Sequence, residues 1–226
     1  MTSKTSRRQS RPASTRNSGS TTQRWSLNAQ RPNIGTHTGM VMGDLKTVVL
    51  VLGCAANLLL VAGILWSMFQ PERRVWPPIH STGAHKIVVW GLTCVGFGSA
   101  IVLALLEWGE LDFPWIIRWG LGLCLIVLGN AVVWSGVMQL GMAATSGDEG
   151  VLRTRGLYRF SRNPQYVADM AILIGIGLLS ASILAWPVII TGVTALALAP
   201  FAEERWLIDR YGEAYRGYLR TTRRFL

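Results

Sequence analysis

A short polar segment contains the residues of this 226-residue chain that are best suited to chemistry. Residues 153–166 combine four arginines with two tyrosines and an asparagine followed directly by a proline. Asparagine is a favourable helix N-cap and proline a favourable first helical residue, so Asn163 and Pro164 predict a helix start. The free amide groups of that helix start, together with the arginines, form a potential site for an anionic group. Asp169 follows where the helix dipole favours an acid.

Two adjacent carboxylates, Glu203 and Glu204, directly follow an apolar run and form the second polar feature. Acids at the C-terminal end of a membrane helix gain nothing from the helix dipole or from anionic lipid. We therefore expect a cation to hold them, either the arginines of the first segment or a ligand.

Simpler interpretations exist for both features. Arginines at the end of a membrane span anchor it to the surface, and tyrosines there form the interfacial aromatic belt. Metal-ligand spacing, a Walker loop and a GxGxxG motif are all absent from the sequence, so no metal site is expected. The histidines lie outside the apolar runs, and loop histidines are usually just solvated: His37, His80 and His85.

The composition indicates what kind of protein must position these residues. Charged residues make up 15% of the chain, against about 25% in a soluble domain, and apolar types make up 50%. This apolar content excludes a disordered polyelectrolyte for most of the chain. The three cysteines lie in apolar runs and exclude a disulfide scaffold. An integral membrane protein with a net charge of +10 remains.

Four runs without a charged residue predict membrane helices, because a span needs about 20 apolar residues. The runs cover residues 47–70, 87–106, 119–147 and 170–202. The last run would extend roughly 50 Å as one helix, which exceeds a hydrocarbon core of about 30 Å. Pro187 favours a second helix start, so we predict a tight hairpin of two helices, 164–182 and 187–202. The predicted fold is an all-α integral membrane protein with about five transmembrane helices and a C-terminal amphipathic segment.

The chain divides into two parts by composition. Residues 1–43 are basic, rich in Ser and Thr and free of acids, which predicts a disordered tail. There are two alternatives: a transit peptide, and a tail that binds acidic lipid or nucleic acid. Residues 44–226 form the predicted membrane domain, with a cofactor-binding half at 151–226. The loop near residue 150 and the C terminus carry most of the basic residues near the spans, so we expect both in the cytoplasm.

The motifs together resemble a known family. The segment Gly156-Leu-Tyr-Arg-Phe-Ser-Arg-Asn-Pro-Gln-Tyr166 is similar to the signature of isoprenylcysteine carboxyl methyltransferases. Glu203-Glu204 and the segment from Tyr211 to Tyr218 resemble the paired glutamates and tyrosine-rich tail of the same enzymes. Order and spacing agree over about residues 151–225. The departures are Asn163, where the eukaryotic signature has histidine, and the ending Thr221-Thr-Arg-Arg-Phe225.

The resemblance implies an integral membrane methyltransferase of the isoprenylcysteine carboxyl and phospholipid methyltransferase-like superfamily, with S-adenosyl-L-methionine as cofactor. The acceptor would be a lipid or lipidated substrate in the bilayer: a prenylcysteine-like carboxylate, a phospholipid amine or a thiol. No nucleic-acid partner is expected. An NADPH-dependent sterol-type lipid reductase and a non-enzymatic membrane protein are the alternatives. The implied cofactor-binding residues are Tyr158, Arg159, Arg162, Asn163, Pro164, Tyr166, Glu203 and Glu204.

Overall fold

The computed structural model describes residues 34–77, 83–140 and 152–226. Five α-helices run through them: α1 (Ile34–Phe69), α2 (Gly83–Leu106), α3 (Leu123–Leu140), α4 (Pro164–Ser180) and α5 (Ala185–Thr221). A π-helical turn, Ile116–Gly122, leads directly into α3, and short 3-10 turns occur at Pro71–Arg73 and Gly156–Arg159. The all-α class predicted from the sequence is confirmed for the described residues.

Four of the described helices are long and apolar enough to cross a membrane. They comprise Gly39–Phe69, Gly83–Leu106, Ile116–Met138 and Ala185–Thr221. The fifth, α4, is a shorter apolar helix of 17 residues, about 25 Å long at 1.5 Å per residue. The chain is therefore a multi-pass membrane protein by the length and composition of its helices.

Two helix boundaries differ from the sequence prediction. Helix α1 begins at Ile34, so residues 34–43 of the predicted disordered tail are helical. Residues 1–33 lie outside the described residues, and their disorder stays a prediction. Helix α5 begins at residue 185 and continues to residue 221, whereas a helix ending at residue 202 was predicted. The amphipathic C-terminal segment is thus an extension of α5, redirected at Gly212, whose φ of 53° is left-handed.

The predicted hairpin is formed by α4 and α5, and a buried acid holds its turn. Ala181 ends α4 in the left-handed conformation, and α5 begins four residues later. Glu107, at the end of α2, accepts hydrogen bonds from the Ser182 hydroxyl at 3.1 Å and the Leu184 amide at 2.8 Å. Lys46 of α1 lies 3.4 Å from the same carboxylate. Three helices therefore meet at this acid.

Replacing Glu107 by alanine should destabilise the hairpin, because the Leu184 amide and the Ser182 hydroxyl lose their acceptor. A hydrogen bond to a charged group contributes about 1.5–3 kcal/mol, so a loss of that size in the free energy of unfolding is expected. Unfolding by SDS in mixed micelles measures it. Glu110→Ala is the matched control, because this neighbouring acid is exposed. Equal losses in the two variants would contradict the role given to Glu107.

A row of glycines brings α3 close to α4 and so positions the start of α4. A Cβ atom added to Gly122 would lie 2.8 Å from the backbone nitrogen of Leu179. A Cβ atom on Gly129 would lie 2.9 Å from the carbonyl oxygen of Ala168. Small residues allow helix backbones to approach closely in membranes, where apolar burial alone gives little driving force.

The path of the five helices gathers three segments at one end of the bundle. These segments are the turn at residues 71–77, the stretch 152–163 before α4, and the chain from residue 203 onward. Glu107 and the hairpin turn lie at the opposite end. Helix α1 packs against α2 and α5, and α3 packs against α4, but the described parts of α2 and α3 form no extensive interface. A gap therefore separates α2 from α3.

Candidate functional site

The turn after α1 presents an indole to the site end of the bundle. The Ser67 hydroxyl oxygen accepts hydrogen bonds from the amides of Val75 and Trp76, at 2.9 and 3.0 Å. The Arg74 Nε atom donates to the carbonyl oxygen of Pro77 at 2.8 Å. These bonds fix the turn, and Trp76 reaches Glu203 of α5, donating from Nε1 to Oε1 at 2.5 Å.

Glu203 is held by neutral donors. Besides the indole of Trp76, the hydroxyl of Tyr166 on α4 donates to the same Oε1 oxygen. Among the described residues no cation forms an ion pair with Glu203, and Oε2 receives no hydrogen bond from them. Of the two cations expected for Glu203, the arginines are therefore not its partners among the described residues, and a cationic ligand stays a prediction. The carboxylate keeps one oxygen available on the cavity wall.

Glu204 is held by two arginines, as the sequence led us to expect. Arg162 donates to Oε1 at 2.5 Å, and Arg224 binds both oxygens, from Nε at 2.8 Å and from Nη2 at 2.7 Å. These hydrogen bonds raise the pKa of Arg224. The Arg224 guanidinium also lies over the Phe201 ring, 3.9 Å from its centroid. Adjacent acids therefore have different partners.

The C-terminal strap, residues 222–226, is bound to the segment before α4. The Arg162 amide donates to the carbonyl oxygen of Arg223 at 2.9 Å, and the two segments form a parallel bridge. The Ser161 hydroxyl and the Asn163 side-chain amide both donate to the Arg224 carbonyl oxygen, at 3.3 and 3.0 Å. The strap therefore covers the helix start that the sequence singled out.

Asn163 is the N-cap residue of α4, but its side chain does not cap the helix. We expected its side-chain oxygen to bond the first free amides, as such residues commonly do. The side-chain amide instead donates to the strap. The backbone amide of Asn163 donates to the Ser161 hydroxyl oxygen at 3.1 Å. Pro164 is the first helical residue as predicted, because its fixed φ suits that position.

Three tyrosines form a buried cluster beside the strap. The hydroxyl of Tyr218 donates to the carbonyl oxygen of Tyr158, and the rings of Tyr215 and Tyr218 meet edge to face, with centroids 6.0 Å apart. Burial raises the pKa of Tyr158 well above its ordinary value, so its hydroxyl stays protonated at neutral pH. The cluster supplies aromatic surface and neutral hydroxyl groups.

One cavity of about 610 Å³ joins these groups to the gap between α2 and α3. Its polar end is lined by Arg153, Arg162, Tyr166, Glu203 and the tyrosine cluster. Its other walls are apolar, and in the gap they include Trp90, Cys94 and Phe97 of α2 with Val133, Trp134 and Val137 of α3. This volume lies within the range of small-molecule sites. The cavity can take a ligand with a polar part and a hydrocarbon part.

The residues proposed from sequence fall into two groups. Six of the eight line the cavity: Tyr158, Arg162, Asn163, Pro164, Tyr166 and Glu203. Two do not. Glu204 does not line the cavity, although its partner Arg162 does. Arg159 is exposed, with its guanidinium 4.8 Å from the Phe160 ring centroid. His80, which we considered only as a loop residue, lies outside the described residues.

Sequence reasoning missed Trp76, Arg224 and the position of Asp169. Nothing in the sequence around Trp76 indicates that its indole contacts Glu203. Arg224 was counted only among the basic residues of the tail. Asp169, interpreted as an acid favoured by the helix dipole, lines the cavity. The available signal for Asp169 was an acid inside an otherwise apolar helix.

Comparison with known proteins gives one match. Residues 117–214 match the family model described as phospholipid methyltransferase. The matched segment covers somewhat less than half of the chain and includes α3, α4, both glutamates and most of α5. Trp76 and the C-terminal strap lie outside it. No curated protein matches the chain, and no solved structure does.

Proposed function

Because residues 117–214 belong to the phospholipid methyltransferase family, in the superfamily that also includes the isoprenylcysteine carboxyl methyltransferases, we propose that this chain transfers a methyl group from S-adenosylmethionine to a phospholipid. The superfamily assignment made from the sequence motifs is thereby confirmed. The isoprenylcysteine carboxyl subtype is not confirmed.

The observation that carries the proposal is the single cavity with a polar end and an apolar gap. A water-soluble cofactor and a lipid must meet in one site if a methyl group is to pass between them. The polar end suits the cofactor, and the gap between α2 and α3 offers the lipid a route from the bilayer. The apolar lining of this gap matches hydrocarbon chains.

The residues at the polar end fit the chemistry of S-adenosylmethionine, which contains an ammonium, a carboxylate, a ribose, an adenine and a sulfonium. We assign the free oxygen of Glu203 to the ammonium or a ribose hydroxyl. Arg162, whose buried Nε atom has no hydrogen-bond partner among the described residues, and Arg153 are assigned to the carboxylate. The rings of Trp76, Tyr158 and Tyr166 offer faces for the adenine or the sulfonium.

Methyl transfer from a sulfonium requires alignment of donor and acceptor more than acid–base groups. The bound cofactor supplies an electrophilic methyl group. The chain's part is to orient both reactants and to exclude water, and the strap and the tyrosine cluster lie over the polar end for that purpose. Asn163 helps by bonding the strap, a role that requires no titrating base. We infer from the basic residues at this end that it faces the cytoplasm.

Calorimetric binding of S-adenosylhomocysteine and of NADPH to the detergent-purified chain tests the proposal. We expect saturable binding of S-adenosylhomocysteine and none of NADPH. Transfer of radiolabelled methyl groups into phospholipid vesicles should then depend on the protein. Binding of NADPH alone would instead support a lipid reductase, and absence of both binding and transfer would overturn the proposal.

A further inference from the structure

A second cavity, of about 200 Å³, lies between the turn after α1 and helix α5. Its charged lining residues are Arg74, Arg205 and Asp209, and its apolar lining residues include Met68, Phe201 and Ala202. The three charged residues do not line the larger cavity, so this space has its own set of ionisable groups. No step of the proposed methyl transfer uses them.

The two arginines of the second cavity have hydrogen-bond donors to spare. The Arg74 guanidinium donates from Nε to the Pro77 carbonyl oxygen at 2.8 Å and from Nη1 to that of Pro71 at 3.4 Å, while Nη2 bonds no described residue. Arg205 is exposed and forms neither a hydrogen bond nor an ion pair with the described residues. Asp209 interacts electrostatically with Arg74 without an ion pair between them. Because two cations face one acid, the cavity favours an anion.

The position of the second cavity indicates where that anion comes from. Met68 lies in the last turn of α1, which ends at Phe69, and Ala202 is the last residue of the uncharged run of α5. The hydrocarbon core ends where such runs end, so the cavity lies at the level of the lipid headgroups. Phe201 lines the cavity and is also 39% exposed on the surface of the bundle. A lipid bound there can keep its acyl chains in the bilayer.

We propose that the second cavity binds the phosphate group of an anionic phospholipid, and that this lipid strengthens the cofactor site. Guanidinium groups suit phosphate, because their N–H donors match the geometry of its oxygens. This lipid is distinct from the methyl acceptor, whose route is the gap between α2 and α3. The effect on the cofactor rests on the proposed function, whereas the binding of the lipid does not.

Two contacts connect the second cavity to the cofactor site. Arg74 and Trp76 belong to the same short turn, and Trp76 donates to Glu203 at 2.5 Å. On the other wall, the Phe201 ring lies under the guanidinium of Arg224, the strap residue, 3.9 Å from the ring centroid. A ligand that holds this turn and this ring therefore restricts groups of the cofactor site. The cofactor then has less ordering to impose when it binds.

The full-length chain in nanodiscs tests the proposal. Discs of phosphatidylcholine alone are compared with discs of phosphatidylcholine and phosphatidylglycerol. In the anionic discs the Kd of S-adenosylhomocysteine should fall about fivefold or more, the lower end of measured couplings between sites. Hydrogen exchange over residues 71–77 should slow before any cofactor is added. Inorganic phosphate added to the neutral discs should reproduce neither effect, because it has no acyl chains to concentrate it at the bilayer.

Three variants show whether the second cavity is responsible. Arg205→Gln removes a cation that bonds no described residue, and the lipid effect on the Kd should shrink to about twofold or less. Arg220→Gln is the matched control, because it removes the same charge from an exposed position of α5 outside both cavities and should keep the full effect. Asp209→Asn removes the opposing charge, so less phosphatidylglycerol should produce the same effect.

Each contrary result overturns a defined part of the proposal. Equal lipid responses in Arg205→Gln and Arg220→Gln would mean that general surface charge attracts the lipid. A weaker response in Asp209→Asn would mean that this acid binds a cationic group of the ligand. An equal response to inorganic phosphate would reject the lipid as its source. If the proposed function fails, S-adenosylhomocysteine binds in neither kind of disc, and hydrogen exchange over residues 71–77 still decides whether the lipid binds.

Discussion

The variant Glu204→Ala should release the C-terminal strap. Glu204 and Arg162 are 13% and 8% exposed, so removal of the acid leaves a nearly buried arginine beside a second one. Loss of one partner of such a buried pair costs about 3–5 kcal/mol. We therefore expect the protection of the Arg162 amide against hydrogen exchange to fall by about two to four orders of magnitude, since tenfold corresponds to about 1.4 kcal/mol.

Mass-spectrometric hydrogen exchange over residues 161–163 and 222–226 measures this release. The control is Glu213→Ala, because Glu213 pairs with Arg216 at 2.6 Å on the same helix but is 80% exposed. Exposed pairs contribute little to stability. If exchange in the strap changes equally in the two variants, Glu204 does not hold it.

The variant Glu203→Gln should weaken cofactor binding and leave the strap in place. Glutamine keeps a carbonyl oxygen for Trp76 and Tyr166 but loses the charge that we assign to the cofactor. A hydrogen bond to a charged group contributes about 1.5–3 kcal/mol, so the Kd of S-adenosylhomocysteine should rise about tenfold or more. Calorimetry measures the Kd, and hydrogen exchange should show normal protection over residues 222–226.

Two comparisons make the Glu203 result specific. Tyr166→Phe removes one donor to Glu203 but keeps the charge, so its effect on the Kd should be the smaller one. Glu213→Gln changes an exposed acid and should have none. A Kd for Glu203→Gln within twofold of the wild type would reject the assignment of Glu203 to the cofactor.

The identity of the site-forming segments could be predicted, but their partners could not. Glu203 and Glu204 are neighbours in sequence, and we expected a cation to bind both of them. Successive residues of an α-helix point about 100° apart, so the two side chains face different surroundings. Glu204 meets Arg162 and Arg224, whereas Glu203 meets Trp76 and Tyr166. Only the packing of α1, α4 and α5 decides which acid is left for a ligand.

The helix ends likewise include one that the local sequence predicts and one that depends on packing. Pro164 begins α4 as predicted, because a proline acts on its own backbone. The length of α5 was not predictable from charge, since the mixed-charge stretch after residue 202 remains helical to residue 221. Its tyrosines pack there against Leu152 and Tyr158, and this burial is created by distant chain segments.

The sequence by itself determined that the chain is an all-helical membrane protein, because long uncharged runs can satisfy their backbone groups in a bilayer only as helices. Its short motifs also determined the superfamily. The tertiary structure alone decided that Trp76 and Arg224 contribute to the site, that Asn163 bonds the strap and does not cap α4, and that Asp169 faces the cavity. Each of these depends on a contact between residues far apart in the chain, which local propensity and hydropathy do not encode.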